Sequence, residues 1–274
     1  MSTQAALPTP SRDLPRPPGR VLPGLTLGLA AAQVGAIVWQ FSFSGGGADL
    51  SQRGDDPPVV PALYTFAIWG PIYVSSLAYA VYGLLPGQRG RELHRRVGPY
   101  AAAAFGASTL WALAAGFPPP WVTWGTVAMI FAMFGSLLVA LLRASRLART
   151  RADHLLTVSP LALYAGYVTL ATVANTAASL KASGVNTPLG LGVTPWAVLM
   201  LAAAGGLASF VARRTGGPLA YGAAAIWGLI GVAVQNAVVE PNPPVGVAAG
   251  LAALAVAGTT WWARRRTRGG AFTS

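Results

Sequence analysis

Long apolar runs broken by short, arginine-bearing connections set the rhythm of this chain. Eight runs, near residues 20–42, 62–85, 97–116, 121–142, 155–178, 195–212, 218–239 and 243–263, each approach the roughly 20 residues a helix needs to cross a hydrocarbon core. Within the second run Phe66, Trp69 and Tyr73 are spaced i, i+3, i+7 and share one helical face. Pro61 suits the first turn of that helix, and Pro71 predicts a kink beside Trp69. The third run carries Ser108 and Trp111 at a similar depth. In the fifth, Tyr164, Val168, Ala171 and Asn175 fall on one face, with Tyr167 and Thr172 beside it. An amide inside a span is costly unless partnered, so Asn175 is expected to face the bundle. In the seventh run Trp227, Gly231 and Gln235 share a face, with Gln235 expected to point inward. Small residues at Gly24, Gly28, Ala32 and Gly35 predict close helix packing along the first run. Ordinary membrane packing and ligand contact both account for the aromatic stripe and the amide at this point.

Composition fixes the class of protein. Of 274 residues 54% are hydrophobic and only 9% charged, where a soluble domain carries roughly a quarter. The mean hydropathy of +0.53 agrees. The fold expected is all-α, a polytopic transmembrane helix bundle of eight spans. The net charge of +12 is explained by position, since every Lys and Arg except Arg53 and Lys181 falls in alternate connections or the two tails. Under the positive-inside rule this predicts a multi-pass protein of the plasma (inner) membrane with both termini cytoplasmic. The basic charge is thus topological, and no nucleic-acid partner is expected.

The chain has no Cys, which excludes disulfides, thiolate metal sites and CxxCH haem attachment. Its two histidines, His94 and His154, lie in arginine-rich stretches and read as interface residues without chemistry, so no metal site is expected. No run carries Asp, Glu, Lys or Arg at mid-depth, which argues against ion conduction or proton coupling. A nucleophile–base pair or phosphate loop is also lacking, so conventional enzymology has no residue to rest on. Residues 43–60, with Asp49, Asp55, Asp56 and a Gly run, read as a solvated acidic connection able to act as a lid.

Taken together, the second, third and fifth runs resemble the tryptophan-rich sensory protein family, TspO, relatives of the peripheral benzodiazepine receptor. The family's fifth helix has the form P-Y-x-x-W-x-x-x-A-T-x-x-N; Tyr164, Tyr167, Ala171, Thr172 and Asn175 match its spacing, with Tyr167 in place of the Trp and Pro160 three positions early. The family's second helix reads F-x-P-x-W-x-x-L-Y; Trp69 and Tyr73 fit, while Phe66 stands one residue too close. In the third helix N-x-x-W becomes Ser108 and Trp111, and the family's Trp before the Pro pair of the first connection is missing. The resemblance implies a TspO-like five-helix core over 20–180, leaving three further helices over 181–264; the Pro-rich, polar residues 1–19 read as a disordered cytoplasmic tail and 265–274 as a second cytoplasmic tail. It also implies a pocket for porphyrins and other hydrophobic molecules.

Trp69, Tyr73, Trp111, Tyr164, Tyr167, Ala171, Asn175 and Gln235 are the expected ligand-binding residues, in the outer half of the bundle. Three readings stay open: a sensor or receptor for a hydrophobic small molecule such as a porphyrin or haem-like tetrapyrrole, a transporter of it, or a structural protein without a pocket. The expected partners are the lipid bilayer and that small molecule, with room for a homodimer. Topology is directly testable in this Cys-free chain. A Cys replacing Ser51 should react with an impermeant thiol reagent on intact cells and one replacing Thr150 should not; the reverse labelling would overturn the charge argument.

Overall fold

The computed structural model describes residues 19–43, 56–117, 123–185 and 188–269, and the long elements among them are all helical. They are α1 (Val21–Phe43), α2 (Leu63–Leu84), α3 (Glu92–Ala114), α4 (Thr123–Leu147), α5 (Arg151–Ala182), α6 (Val193–Arg214), α7 (Leu219–Val239) and α8 (Pro243–Gly269). Seven of them are long and apolar enough to cross a membrane. The exception is α3, whose first turn carries Glu92, Arg95 and Arg96 and whose apolar stretch is largely alanine. The expected eight spans are therefore seven by composition plus one helix of equal length and weaker hydropathy.

The packing places α5 at the centre. It contacts α4 and α7 along its length and meets α2; α3 lies between α1 and α4, and α8 between α6 and α7. About 72% of the most apolar part of α5 is buried, against 50% or less in the other candidate spans. Van der Waals packing and polar bonds, rather than the hydrophobic effect, hold helices together in lipid. At one point on α5 the backbone approach demands glycine: a Cβ on Gly166 would run into the Tyr221 carbonyl of α7.

Prolines act differently from the sequence expectation. Pro61 does not open α2; it lies in a non-helical strap before Ala62, the residue that caps the helix. Leu63–Ile68 is a 3₁₀ turn, and the regular α-helix starts at Trp69, which places Pro71 in its first turn. There a missing N–H is tolerated, so the irregularity falls before Trp69 rather than as a kink after it. The small-residue face of α1 is also corrected. Gly24, Gly28 and Gly35 meet nothing within 4 Å, and α1 buries Thr26, Ala30, Gln33 and Ala36 instead.

The end of the bundle rich in arginine is closed by one buried ion pair that the periodicity did not reveal. Asp153 is fully buried and takes a bidentate pair from Arg91 at 2.6 and 2.7 Å. It accepts further bonds from the Tyr82 hydroxyl at 3.1 Å and from the Arg149 and Thr150 N–H groups at 3.0 Å each. Thr150 caps the helix reciprocally by accepting from the Asp153 N–H. One carboxylate thereby ties together the end of α2, the start of α3 and the start of α5. His94, expected in a polar connection, is instead buried in α3 between Tyr79 and Tyr82, at ring distances of 6.1 and 5.3 Å.

Removing one partner of a buried pair leaves the other charge uncompensated, at a cost of roughly 3–5 kcal/mol. Asp153→Ala should lower the thermal midpoint in detergent strongly. Glu92→Ala, which breaks only the exposed pair with Arg96 at 2.8 Å, should shift it little. Equal shifts in the two variants would contradict the assignment of Asp153 as the structural tie.

Candidate functional site

The candidate site is built around Trp69, the first residue of the regular part of α2. Its indole stacks on Tyr73 of the same helix at 5.5 Å and on Trp111 of α3 at 6.0 Å. Tyr164 and Tyr167 of α5 meet it edge-on, at 5.8 and 5.4 Å with interplanar angles of 87° and 85°. Offset stacking and edge-to-face contact are the arrangements the ring quadrupole favours, at about 0.5–1.5 kcal/mol per pair beyond area burial. Four rings from three helices thus hold Trp69 in one orientation.

Trp69 is nevertheless only partly buried, because it also borders a cavity of about 220 Å³. Phe66, Trp69 and Trp111 form its aromatic wall, and Tyr167, Ala171 and Asn175 line it from α5. Gly228 and Val232 of α7 and Ile130 of α4 complete the sides. Asp56 and the strap Val59, Val60 and Pro61 border it as well. The polarity inside is sparse and placed. Asn175 Oδ1 accepts from Trp111 Nε1 at 3.4 Å, and the Asn175 NH₂ has no acceptor among the described residues. The lining is thus largely apolar and aromatic, with the Asn175 amide and Asp56 as its polar members.

Helix α7 holds the strap in place. Asn236 donates its side-chain amide to the Pro58 carbonyl at 2.7 Å and to the Val232 carbonyl at 2.8 Å. The Ala62 N–H donates to the Gly231 carbonyl at 3.1 Å, and Trp227 Nε1 to the Thr65 carbonyl at 3.0 Å. Tyr64 meets the Trp227 ring edge-on at 5.4 Å. Gly231 is required here, since a Cβ would collide with the Thr65 side chain and stand 3.0 Å from Pro61 Cβ.

Of the residues expected from the sequence, Trp69, Trp111, Tyr167, Ala171 and Asn175 come together on the cavity wall. Tyr73 and Tyr164 stand behind Trp69 and do not line it. The Tyr164 hydroxyl instead donates to Gln33 of α1 at 3.2 Å. Gln235 is corrected. A π-helical turn runs over Gln235–Val239, and in that wider turn it is the adjacent Asn236 that is buried and faces the strap. The wall supplied by Gly228 and Val232 escaped the sequence reading because neither carries chemistry of its own. Asp56, expected as a solvated loop carboxylate, borders the cavity. Most of the expected lid, including Asp49 and Asp55, lies outside the described residues.

The chain matches the TSPO-like protein family over residues 31–262, a span that reaches from α1 into α8. No curated protein and no solved structure gives a significant match.

A typical hydrogen bond contributes about 0.5–1.5 kcal/mol, and 1.4 kcal/mol is a factor of ten. Asn236→Ala should therefore speed hydrogen exchange at the Ala62 amide by several-fold to about tenfold, and Gly231→Val should do so more strongly. Unchanged exchange in both variants would show that α7 does not clamp the strap.

Proposed function

The chain belongs to the TSPO-like protein family, and on that premise we propose that it is a membrane sensor or receptor that takes a planar hydrophobic small molecule into the Trp69 cavity. The observation that carries this reading is the partly covered Trp69 ring, oriented by four aromatic neighbours and bordering a largely apolar cavity. A ligand entering beneath the strap would stack on Trp69 and Trp111 and receive a hydrogen bond from the Asn175 amide. The same proposal takes α3 as an eighth span and puts the arginine-rich end and both termini in the cytoplasm, so that the cavity opens toward the outer side.

Volume bears on the ligand. About 220 Å³ lies below the roughly 300–1,000 Å³ of pockets for drug-sized molecules. A compact planar ligand fits as the cavity stands, whereas a porphyrin, the ligand the resemblance implies, requires the strap to lift from α7.

Titration of purified protein with a small planar aromatic and with a porphyrin tests both statements. Loss of Trp69 stacking at about 0.5–1.5 kcal/mol per aromatic contact predicts several-fold to tenfold weaker binding in Trp69→Ala. Asn175→Ala should lose a comparable factor for a ligand with an acceptor, and Trp124→Ala, an exposed ring away from the cavity, should match wild type. Porphyrin affinity should rise in Asn236→Ala while that of the smaller ligand changes little. Equal affinities across wild type, Trp69→Ala and Asn175→Ala would sink the site, and accumulation of the ligand inside proteoliposomes would make the protein a transporter.

A further inference from the structure

At the arginine-rich end, remote from the Trp69 cavity, α6 and α8 enclose a cleft of about 500 Å³ that the proposed function does not use. Phe210, Arg213 and Arg214 line it from α6, and Trp262, Arg266 and Thr267 from α8. Each of the three guanidiniums lies over an aromatic ring. Arg213 lies 5.1 Å and Arg266 4.0 Å from the centre of Trp262, and Arg214 lies 5.0 Å from that of Phe210. The planar fork of N–H donors on a guanidinium matches phosphate oxygens in a bidentate manner.

Three arginines elsewhere at this end have polar partners. Arg91 binds Asp153, Arg96 binds Glu92, and Arg143 donates to the Tyr100 hydroxyl and the Arg96 carbonyl. Arg213, Arg214 and Arg266 make no hydrogen bond or ion pair among the described residues. Two helices end here, and their C-termini together present about one negative charge. Arg213, Arg214, Arg264, Arg265 and Arg266 exceed that several-fold, so the cleft is left strongly cationic. The turn at Gly216 and Gly217 has φ of +77° and +68°, and a Cβ on Gly217 would strike the Thr260 carbonyl of α8.

Depth selects the form of the anion. Trp261 and Trp262 are 56% and 38% exposed, as expected of rings that sit at the headgroup level of a bilayer. Below them the outward faces of the same two helices continue as exposed Leu207 and Leu251, a surface for acyl chains. We infer that the α6–α8 cleft binds the phosphate of an anionic glycerophospholipid, gripped by Arg213 and Arg266 on either side of the cleft, with the chains lying along the apolar faces below. The charge cluster thus takes one lipid class in a defined seat, beyond the general bias that orients the chain.

Native mass spectrometry of the full chain with equimolar phosphatidylglycerol and phosphatidylcholine tests this. Each arginine near an anionic headgroup contributes a factor of about five, so loss of two should reduce selective retention of phosphatidylglycerol by about thirtyfold. Arg213→Ala/Arg266→Ala should show that loss, while Arg95→Ala/Arg146→Ala, which removes the same charge from equally exposed positions outside the cleft, should retain wild-type selectivity. Arg213→Lys/Arg266→Lys, which keeps the charge without the stacked fork, should fall between the two and serves if the alanine pair does not fold. Equal losses in the alanine and control pairs, or no preference in the wild type, would overturn the seat. Displacement of the lipid by millimolar inorganic phosphate would show instead a site for a soluble anion.

Discussion

The packing of four aromatic rings about Trp69 is the contact on which the rest of the bundle depends. Inside lipid, burying apolar surface stabilises one helix arrangement little over another, so shape-specific contacts choose the arrangement. Trp69 makes those contacts with α3 and α5 at once, and the ring contacts continue inward. Tyr164 stacks on Phe105 at 6.3 Å, Phe105 meets Tyr79 at 6.2 Å, and Tyr79 lies beside His94. A column of rings therefore runs from the cavity to the arginine-rich end, where the Tyr82–Asp153–Arg91 bonds finish it. The cavity exists because this column stops at Trp69 and nothing on α7 fills the space opposite, where glycine and valine stand.

Polar bonds divide the work between the two ends. At one end a buried carboxylate gathers three segments and fixes how α2, α3 and α5 begin and finish. At the other, neutral groups on α7 pin a non-helical strap whose own carbonyls would otherwise lack partners, and an unpaired carbonyl in an apolar setting is costly. The family match runs through the C-terminal helices, and α7 is both a wall of the cavity and the anchor of the strap.

Much of this was legible from residue order alone. Apolar runs of spanning length, with arginines in alternate connections, determined a membrane helix bundle because lipid leaves a chain few other ways to satisfy its backbone. Helical periodicity placed Trp69, Trp111, Tyr167, Ala171 and Asn175 on inward faces, where the structure has them, since face assignment needs only the 3.6-residue repeat. The repeat failed where the helix departs from it. The 3₁₀ turn before Trp69 and the π turn at Gln235 move side chains off the regular lattice, which is why Pro71 does not kink α2 and Asn236 replaces Gln235.

What only the tertiary structure decided is which inward faces meet. Nothing local distinguishes Gly231, which must lack a side chain against Thr65, from Gly24, which faces open space. Likewise Arg91 and Asp153 are 62 residues apart, and Arg213 and Trp262 lie on different helices. Sequence determines the chemistry that each helix carries on each face; the distances between helices, and so the cavity, its clamp and the cationic cleft, arise only when the bundle closes.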